Sequence, residues 1–311
     1  MKENIITKKI LKWYDLNKRS LPWRKKVSLE KKQYYTLISE FMLQQTQVST
    51  VIPFFNRFIK SLPSLNSLAK VNEKKLIKLW EGLGYYSRAR NLKKTAQVVI
   101  KNFDGKLPNN FEDLLKLPGI GNYTANAILA IAFNKPYIPL DGNIERVLKR
   151  YLYLKKEKEI QKDNLIQKKI IFGTTLRSSD YAQALMELGA IICKPNNPIC
   201  DKCPIRKKCK SYKKKDFSLT KSIKKNKDKF FILKVYKKDQ RYLLIKNTKF
   251  NFLKNLSIFP MKELSNPKNF NENLNFKMSN MNMNIKIKYS KDNQKFSSAY
   301  WFDRKKLDSY M

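Results

Sequence analysis

Histidine is absent from this 311-residue chain. That absence excludes every mechanism that needs an imidazole: Ser-His-Asp hydrolysis, Cys-His proteolysis, HExxH zinc chemistry and proximal-His haem ligation. Proton transfer falls to Asp, Glu, Tyr, Lys, Cys or water. Acidic residues are scarce as well: 25 Asp and Glu stand against 66 Lys and Arg, a net charge of +41. No apolar run reaches the roughly 18 residues of a membrane-spanning helix, so no membrane partner is expected. The first twenty residues hold no apolar h-region, which argues against a secretory signal. The chain reads as intracellular, with a cytoplasmic, bacterial-type location. Cysteine is limited to four residues. In a reducing compartment, clustered thiols suggest a metal more than disulfides.

What is present is enough to build cores. Hydrophobic residues make up 42% of the chain, with 18 Phe, 16 Tyr and 4 Trp, which argues against disorder throughout. The length suggests two or three domains. The positive charge points to a polyanion, with nucleic acid as the default partner, although a Lys-, Asn- and Ile-rich composition also reflects AT-rich coding.

Apolar periodicity predicts helices over 5–16, 33–48, 54–61, 73–80, 87–101, 111–116, 122–133, 143–154, 160–171 and 180–192. Pro and Gly punctuate them at Pro63, at 82–84, at 118–121 and at 139–142. The stretch 210–229 is polar and Lys-rich, and a linker is expected over 216–229. Beyond it the period changes to that of strands, at 230–236, 242–245, 285–289 and 299–302. Residues 264–284 are Asn-rich and carry no clear period. The fold class is mostly α, followed by a small α+β domain.

Local loss of charge is informative in a chain that is 29% charged. Residues 33–56 should carry about seven charges and carry one, Glu40. Residues 117–144 carry two, Lys135 and Asp141. Neutral segments of this kind form core or cleft wall, and an isolated carboxylate there tends to have a raised pKa. Glu40 lies off the apolar face of its helix and is expected to share a polar face with Gln44 and Gln47. A solvated face in this chain should carry lysines, and this one carries none. Asp141 precedes a helix and is also suited to capping it.

Two further motifs carry chemistry. Leu117-Pro118-Gly119-Ile120-Gly121 leads into a helix near Asn122-Tyr123-Thr124. Gly119 and Gly121 permit a sharp turn and close approach, and the helix N-terminus offers N–H groups to a phosphate. This is the pattern of a helix–hairpin–helix. Cys193, Cys200, Cys203 and Cys209 give C-x6-C-x2-C-x5-C, a density suited to tetrahedral zinc or an iron–sulfur cluster, and spacing alone leaves both open. Arg206, Lys207 and Lys208, between the last two cysteines, are candidate phosphate contacts.

These motifs, in this order, resemble the endonuclease III superfamily of DNA repair glycosylases and, within it, the adenine DNA glycosylase (MutY) type. The resemblance rests on Leu21-Pro22-Trp23-Arg24, on 39–48 (SEFMLQQTQV), on 80–92 (WEGLGYYSRARNL), on Leu117 to Ala125, on Leu140-Asp141-Gly142-Asn143 and on the four cysteines. It spans roughly residues 10–212 and is weak beyond.

The resemblance implies a fold and an activity. The fold is a six-helix barrel with its hairpin (30–141) beside a [4Fe–4S] domain (1–29 and 142–215), followed by a divergent Nudix-like lesion-recognition domain (230–311). The activity is removal of adenine mispaired with 8-oxoguanine or guanine from double-stranded DNA, by a monomer. By resemblance Glu40 protonates the departing base, and Asp141 stabilises the sugar cation or bonds to it transiently. Tyr123 and Asn143 support these carboxylates, and Arg24 lines the adenine pocket. Gln45, Thr46, Leu83 and Tyr85 form the wedge that fills the stack, and the four cysteines ligate [4Fe–4S]. Bifunctional relatives place a Schiff-base Lys where Tyr123 stands, so excision without strand cleavage is expected. Arg24 and Glu40 are separated by more residues than the family pattern has.

The family's Phe-Ser-His lesion-reading motif cannot be intact without histidine. The best local match is Met278-Ser279-Asn280, where Ser279 keeps a hydroxyl and Asn280 replaces the imidazole, which implies weaker discrimination of 8-oxoguanine. Two other readings stand beside this one: an endonuclease III-like lyase on oxidised pyrimidines, and a non-catalytic DNA-binding protein with a structural metal.

Overall fold

The computed structural model describes residues 4–154, 175–218 and 227–303, apart from 266, 268, 269, 279, 280, 291–295, 297 and 298. The helix expected over 160–171 lies outside the described residues. The chain divides into two compact units, residues 1–83 with 88–221, and residues 84–87 with 222–311.

The first unit is helical: α1 (Ile5–Asn17), α2 (Leu29–Leu43), α3 (Val48–Ser61), α4 (Leu65–Lys70), α5 (Glu73–Trp80), α6 (Ser87–Asn102), α7 (Phe111–Leu115), α8 (Asn122–Ile131), α9 (Gly142–Leu152), α10 (Ser178–Glu187) and α11 (Lys210–Lys214). Polar side chains fix many of the starts. Asn4, Ser28, Ser64, Asn72, Asn110 and Asp141 each accept a hydrogen bond from a backbone N–H of the first turn. Helix α4 was not expected from periodicity; it is one short turn and a half held by a Ser64–Ser67 capping box. Helix α11 shortens the expected polar stretch at 210–229 from one side, and β1 (Lys227–Lys238) shortens it from the other.

Two apolar clusters organise this unit. Phe41, Phe55, Phe58 and Trp80 are fully buried from α2, α3 and α5, with the Phe58 and Trp80 rings edge to face at 6.0 Å. Ile10, Tyr14, Ile144, Leu185 and Leu188 join α1 to α9 and α10 in a second cluster, so the N-terminal helix packs on elements far along the chain.

Helix α2 stops at Leu43, five residues earlier than its apolar pattern suggests. Two features end it. Gln45 takes a positive φ of 56°. Arg88, buried on α6, donates from Nη1 to the carbonyls of Phe41, Met42 and Gln44 at 3.1, 2.8 and 2.5 Å. It thereby satisfies C-terminal carbonyls that the helix cannot. Gln47 therefore sits before α3 and does not share a helix face with Glu40.

The second unit is a mixed sheet in the order β3 (Ser257–Ile258), β2 (Arg241–Lys246), β1, β6 (Met281–Ser290), β5 (Leu274–Met278). Strand β4 (Met261–Leu264) pairs with β1, and β7 (Ala299–Asp303) with β2. β1 and β6 run parallel, with Phe231 opposite Ile285; the other pairings are antiparallel. The expected hairpin is present, with Lys238 opposite Arg241. Phe231, Phe250, Ile258, Met283 and Ile285 form its core. Its described residues contain strands and no helix from 227 onward, so the helical part of the α+β expectation is not seen there.

Candidate active site

A cleft of about 1030 Å³ opens in the helical unit, lined among others by Arg24, Glu40, Tyr123, Asp141, Asn143 and Glu187. Five elements deliver these side chains, Arg24 coming from the short turn at Pro22–Arg24. Glu40 comes from the last turn of α2 and Tyr123 from the first turn of α8. Asp141 and Asn143 come from the start of α9, and Glu187 from the end of α10. The two carboxylates that stood alone in charge-poor segments thus meet in one cavity.

Glu40 is 5% exposed. Burial pushes its carboxyl up from 4.5 to about 7, against a hydrogen bond from Tyr123; the Asp141 charge pushes it further up and Arg24 pulls it down. Among the described residues its Oε2 has no hydrogen-bond partner. The Tyr123 hydroxyl is itself driven well above its ordinary range by burial and by both carboxylates, so it stays a proton donor to Glu40.

Asp141 is the cap of α9. Its Oδ1 accepts from the Ile144 N–H at 2.7 Å and its Oδ2 from Asn143 Nδ2 at 2.9 Å. Burial raises its pKa, and these bonds together with Arg146 hold it down; burial prevails. The environment therefore works against ionisation more than a helix start alone implies.

Asn143 is held from its other end. Arg146 Nη2 donates to Asn143 Oδ1 at 2.7 Å, which turns the amide so that Nδ2 faces Asp141. The same guanidinium donates to the carbonyls of Gly189 and Cys193, both at 2.7 Å. Gly189 lies against Asn143: a Cβ there would stand 2.5 Å from Asn143 Cβ and 2.8 Å from its backbone. Only glycine allows the turn at 188–192 to approach α9 this closely.

Arg24 reaches the cleft despite the long spacing to Glu40, from a short turn at Pro22–Arg24. Its Nη1 pairs with Glu187 at 2.7 Å, and Arg19 Nε meets the other oxygen of the same carboxylate, also at 2.7 Å. Arg24 Nε is buried without a hydrogen-bond partner among the described residues. Sequence reading did not single out Glu187, Arg19, Arg146 or Gly189. The signal for Glu187 was available, since it is the one charge in residues 181–193.

The hairpin has the expected turn. Gly119 has φ +80°, and a Cβ there would stand 2.9 Å from both Asn91 and the Phe41 ring. Thr95 Oγ1 donates to the Pro118 carbonyl at 2.7 Å, and Gly121 precedes α8. Thr46 lines the cleft, Gln45 is exposed, and Leu83 is buried at 6%. Tyr85 belongs to the second unit, with φ +47° and an exposed ring. Ser279 and Asn280 lie outside the described residues.

Cys193, Cys200, Cys203 and Cys209 line one small cavity of about 30 Å³ with Arg150 and Phe217. Among the described residues no three of them converge closely enough to share one metal ion; they surround the space. Burial and mutual repulsion push the thiols of Cys200, Cys203 and Cys209 up, that of Cys203 to about 12. Four half-buried thiols around one cavity make a donor set whose thiolate charge a cationic metal core would offset. Arg206 is paired with Asp201 at 3.0 Å across the loop.

A helical unit with a glycine hairpin, a carboxylate-bearing cleft and a four-cysteine cavity defines a class. Residues 38–170 match the HhH-GPD superfamily of base excision DNA repair proteins. The chain is 45% identical over 206 residues to the adenine DNA glycosylase of Buchnera aphidicola subsp. Baizongia pistaciae (strain Bp), covering 65% of this chain and 57% of that one. It is 37% identical over 271 residues to that of subsp. Schizaphis graminum (strain Sg), covering 82% and 74%. The chain belongs to the adenine DNA glycosylase family. Against the Homo sapiens adenine DNA glycosylase, identity is 39% and the match covers 65% of this chain and 38% of that one. Among solved structures, a thermostable thymine-DNA glycosylase matches with TM-score 0.59 and 29% identity, over 68% of this chain and 96% of that one.

Proposed function

We propose that this protein removes adenine mispaired with 8-oxoguanine or guanine from duplex DNA, by hydrolysing the N-glycosidic bond. The observation that carries this is the buried, unpartnered Glu40 Oε2 in the same cleft as Asp141. Glycoside cleavage needs an acid for the leaving group and an anion beside the sugar cation, and this pair supplies both.

The adenine is flipped from the stack into the cleft at a cost of a few kcal/mol. Protonated Glu40 donates from Oε2 to adenine N7. The C1′–N9 bond breaks with its electrons passing to the base, and the sugar becomes an oxocarbenium-like cation. Asp141, oriented by Asn143 and the α9 N-terminus, stabilises that cation or bonds to it transiently. Water adds at C1′, its proton passes to Glu40, and free adenine and an abasic site remain. Tyr123 holds Glu40, offers no amine for a Schiff base, and so leaves the strand intact.

The four cysteines would hold a [4Fe–4S] cluster. Surrounding a cavity, as they do, suits a polynuclear group more than one zinc ion, whose four Zn–S bonds of about 2.3 Å would draw the sulfurs together. When bound, it ties the 193–209 loop into a rigid basic surface. DNA backbone contacts are assigned to Gly119, Gly121 and the Arg206–Lys208 turn, the wedge to Gln45, Thr46, Leu83 and Tyr85, and lesion contacts to Ser279 and Asn280.

Free adenine released from an A:8-oxoguanine duplex under single-turnover conditions tests the assignment. Glu40→Gln and Asp141→Asn should each abolish release while binding persists. An abundant borohydride-trapped enzyme–DNA adduct, or release of oxidised pyrimidines instead, would overturn it.

A further inference from the structure

We propose that Arg150 is the buried counter-cation of whatever anionic metal group the four cysteines hold, and that it sets the reduction potential of that group. The proposal rests on reading those cysteines as ligands of an iron–sulfur cluster.

Arg150 sits on α9, one turn beyond Arg146, and is 2% exposed. Its guanidinium lines the cysteine cavity. Nη1 lies 3.6 Å from Cys193 Sγ and donates to the Lys194 carbonyl at 2.6 Å. Nη2 donates to the carbonyls of Pro195 and Phe217 at 2.7 and 3.2 Å. The backbone of the same residue accepts a 3.5 Å contact from the Cys209 thiol. Nε is buried with no hydrogen-bond partner among the described residues.

No carboxylate forms an ion pair with Arg150 among the described residues. Two other buried ions of the unit have partners of opposite charge: Glu187 has two arginines and Lys149 has Glu145 at 2.8 Å. Burying a cation without an anion is costly, and carbonyl dipoles recover only part of that cost. The groups that line the cavity with this guanidinium include the four thiols, which become anions as metal ligands, and a second cation, Arg206. A four-thiolate [4Fe–4S] group carries a net charge of about −2, which would complete the balance.

The charge also gives Arg150 an effect that a purely structural residue would lack. A fixed cation beside an iron–sulfur group favours its reduced, more negative form. Removing the cation must therefore move the midpoint potential downward. The surrounding Phe217 ring, 5.7 Å from the guanidinium, keeps water from screening the interaction.

The test uses the full-length protein purified anaerobically as wild type, Arg150→Lys and Arg150→Met. Iron and sulfide content, visible absorbance and midpoint potential by protein-film voltammetry are measured for each. Arg150→Met is expected to have a more negative potential and to lose absorbance under chelator roughly 10- to 100-fold faster, the range seen when a metal ligand loses its supporting contact. Arg150→Lys should restore most of the potential. An unchanged potential in loaded Arg150→Met overturns the proposal. If both variants lack the cluster while circular dichroism shows them folded, the guanidinium fork and not its charge is what matters, and the charge claim fails. Wild-type protein containing zinc, or no iron, would instead overturn the cluster reading itself.

Discussion

Glu40→Gln should inactivate the protein and stabilise it at neutral and higher pH. The buried carboxyl is displaced from 4.5 to about 7, chiefly by loss of solvent. At about 1.4 kcal/mol per tenfold change, keeping it ionised costs the folded state on the order of 3 kcal/mol. The sign follows from proton counts. Between about pH 4.5 and 7 the folded chain holds a proton at Glu40 that the unfolded chain has released, so stability falls as pH rises through that window. Above it the cost is fully present. Gln keeps an acceptor for Tyr123 and never ionises, so the variant escapes the cost. Urea unfolding of both proteins from pH 5 to 8.5 measures it: the variant's advantage should be about 1 kcal/mol or less at pH 5 and reach about 3 kcal/mol at pH 8.5. Adenine release by wild type should fall over the same upper window as Glu40 loses its proton. A stability difference independent of pH, or a wild type more stable than the variant at pH 8.5, would refute the reasoning.

Other perturbations separate positioning from chemistry. Arg146→Met frees the Asn143 amide to turn away from Asp141, and single-turnover release should slow by roughly 10- to 100-fold, the worth of a charge-assisted hydrogen bond, with DNA binding retained in a gel-shift assay. Gly189→Ala forces a Cβ into Asn143 and should slow release by about 100-fold through misplacement alone. Gly119→Ala combines a positive φ with contacts at 2.9 Å to Asn91 and the buried Phe41 ring, so chemical denaturation should show a loss of about 2–3 kcal/mol.

Much of the site could be read from the sequence because charge is so abundant elsewhere. Glu40 and Asp141 stood out as interruptions in neutral segments, and the structure brings them to one cleft. The hairpin was legible because Gly119 occupies a backbone conformation that other residues avoid. Other features rest on contacts between distant segments. The end of α2 depends on Arg88, 45 positions beyond Leu43 in sequence, and on a Gln45 conformation that no glycine announces. Strand β5 was missed although Leu274, Phe276 and Met278 alternate with Asn275 and Lys277, because it is only five residues long inside an Asn-rich stretch, and its pairing includes an Asn275–Asn284 side-chain bond that alternation cannot reveal.

Glu187 tests how far the charge-gap argument extends. It satisfies the rule that identified Glu40, yet its environment is opposite in kind. Glu40 is buried with one oxygen unpartnered; Glu187 is fully buried with two arginines on its two oxygens. A lone acid in a neutral segment therefore marks the cleft but leaves its role undecided, and the partners decide it. The two should respond with opposite signs to the same neutralising change. Glu187→Gln leaves the largely buried Arg24 and the half-exposed Arg19 without their anion, which should cost about 1–3 kcal/mol in urea unfolding at pH 8. Glu40→Gln should gain stability in the same experiment. If Glu187→Gln were neutral or stabilising, the ion pair would not be what fixes Arg24 in the cleft.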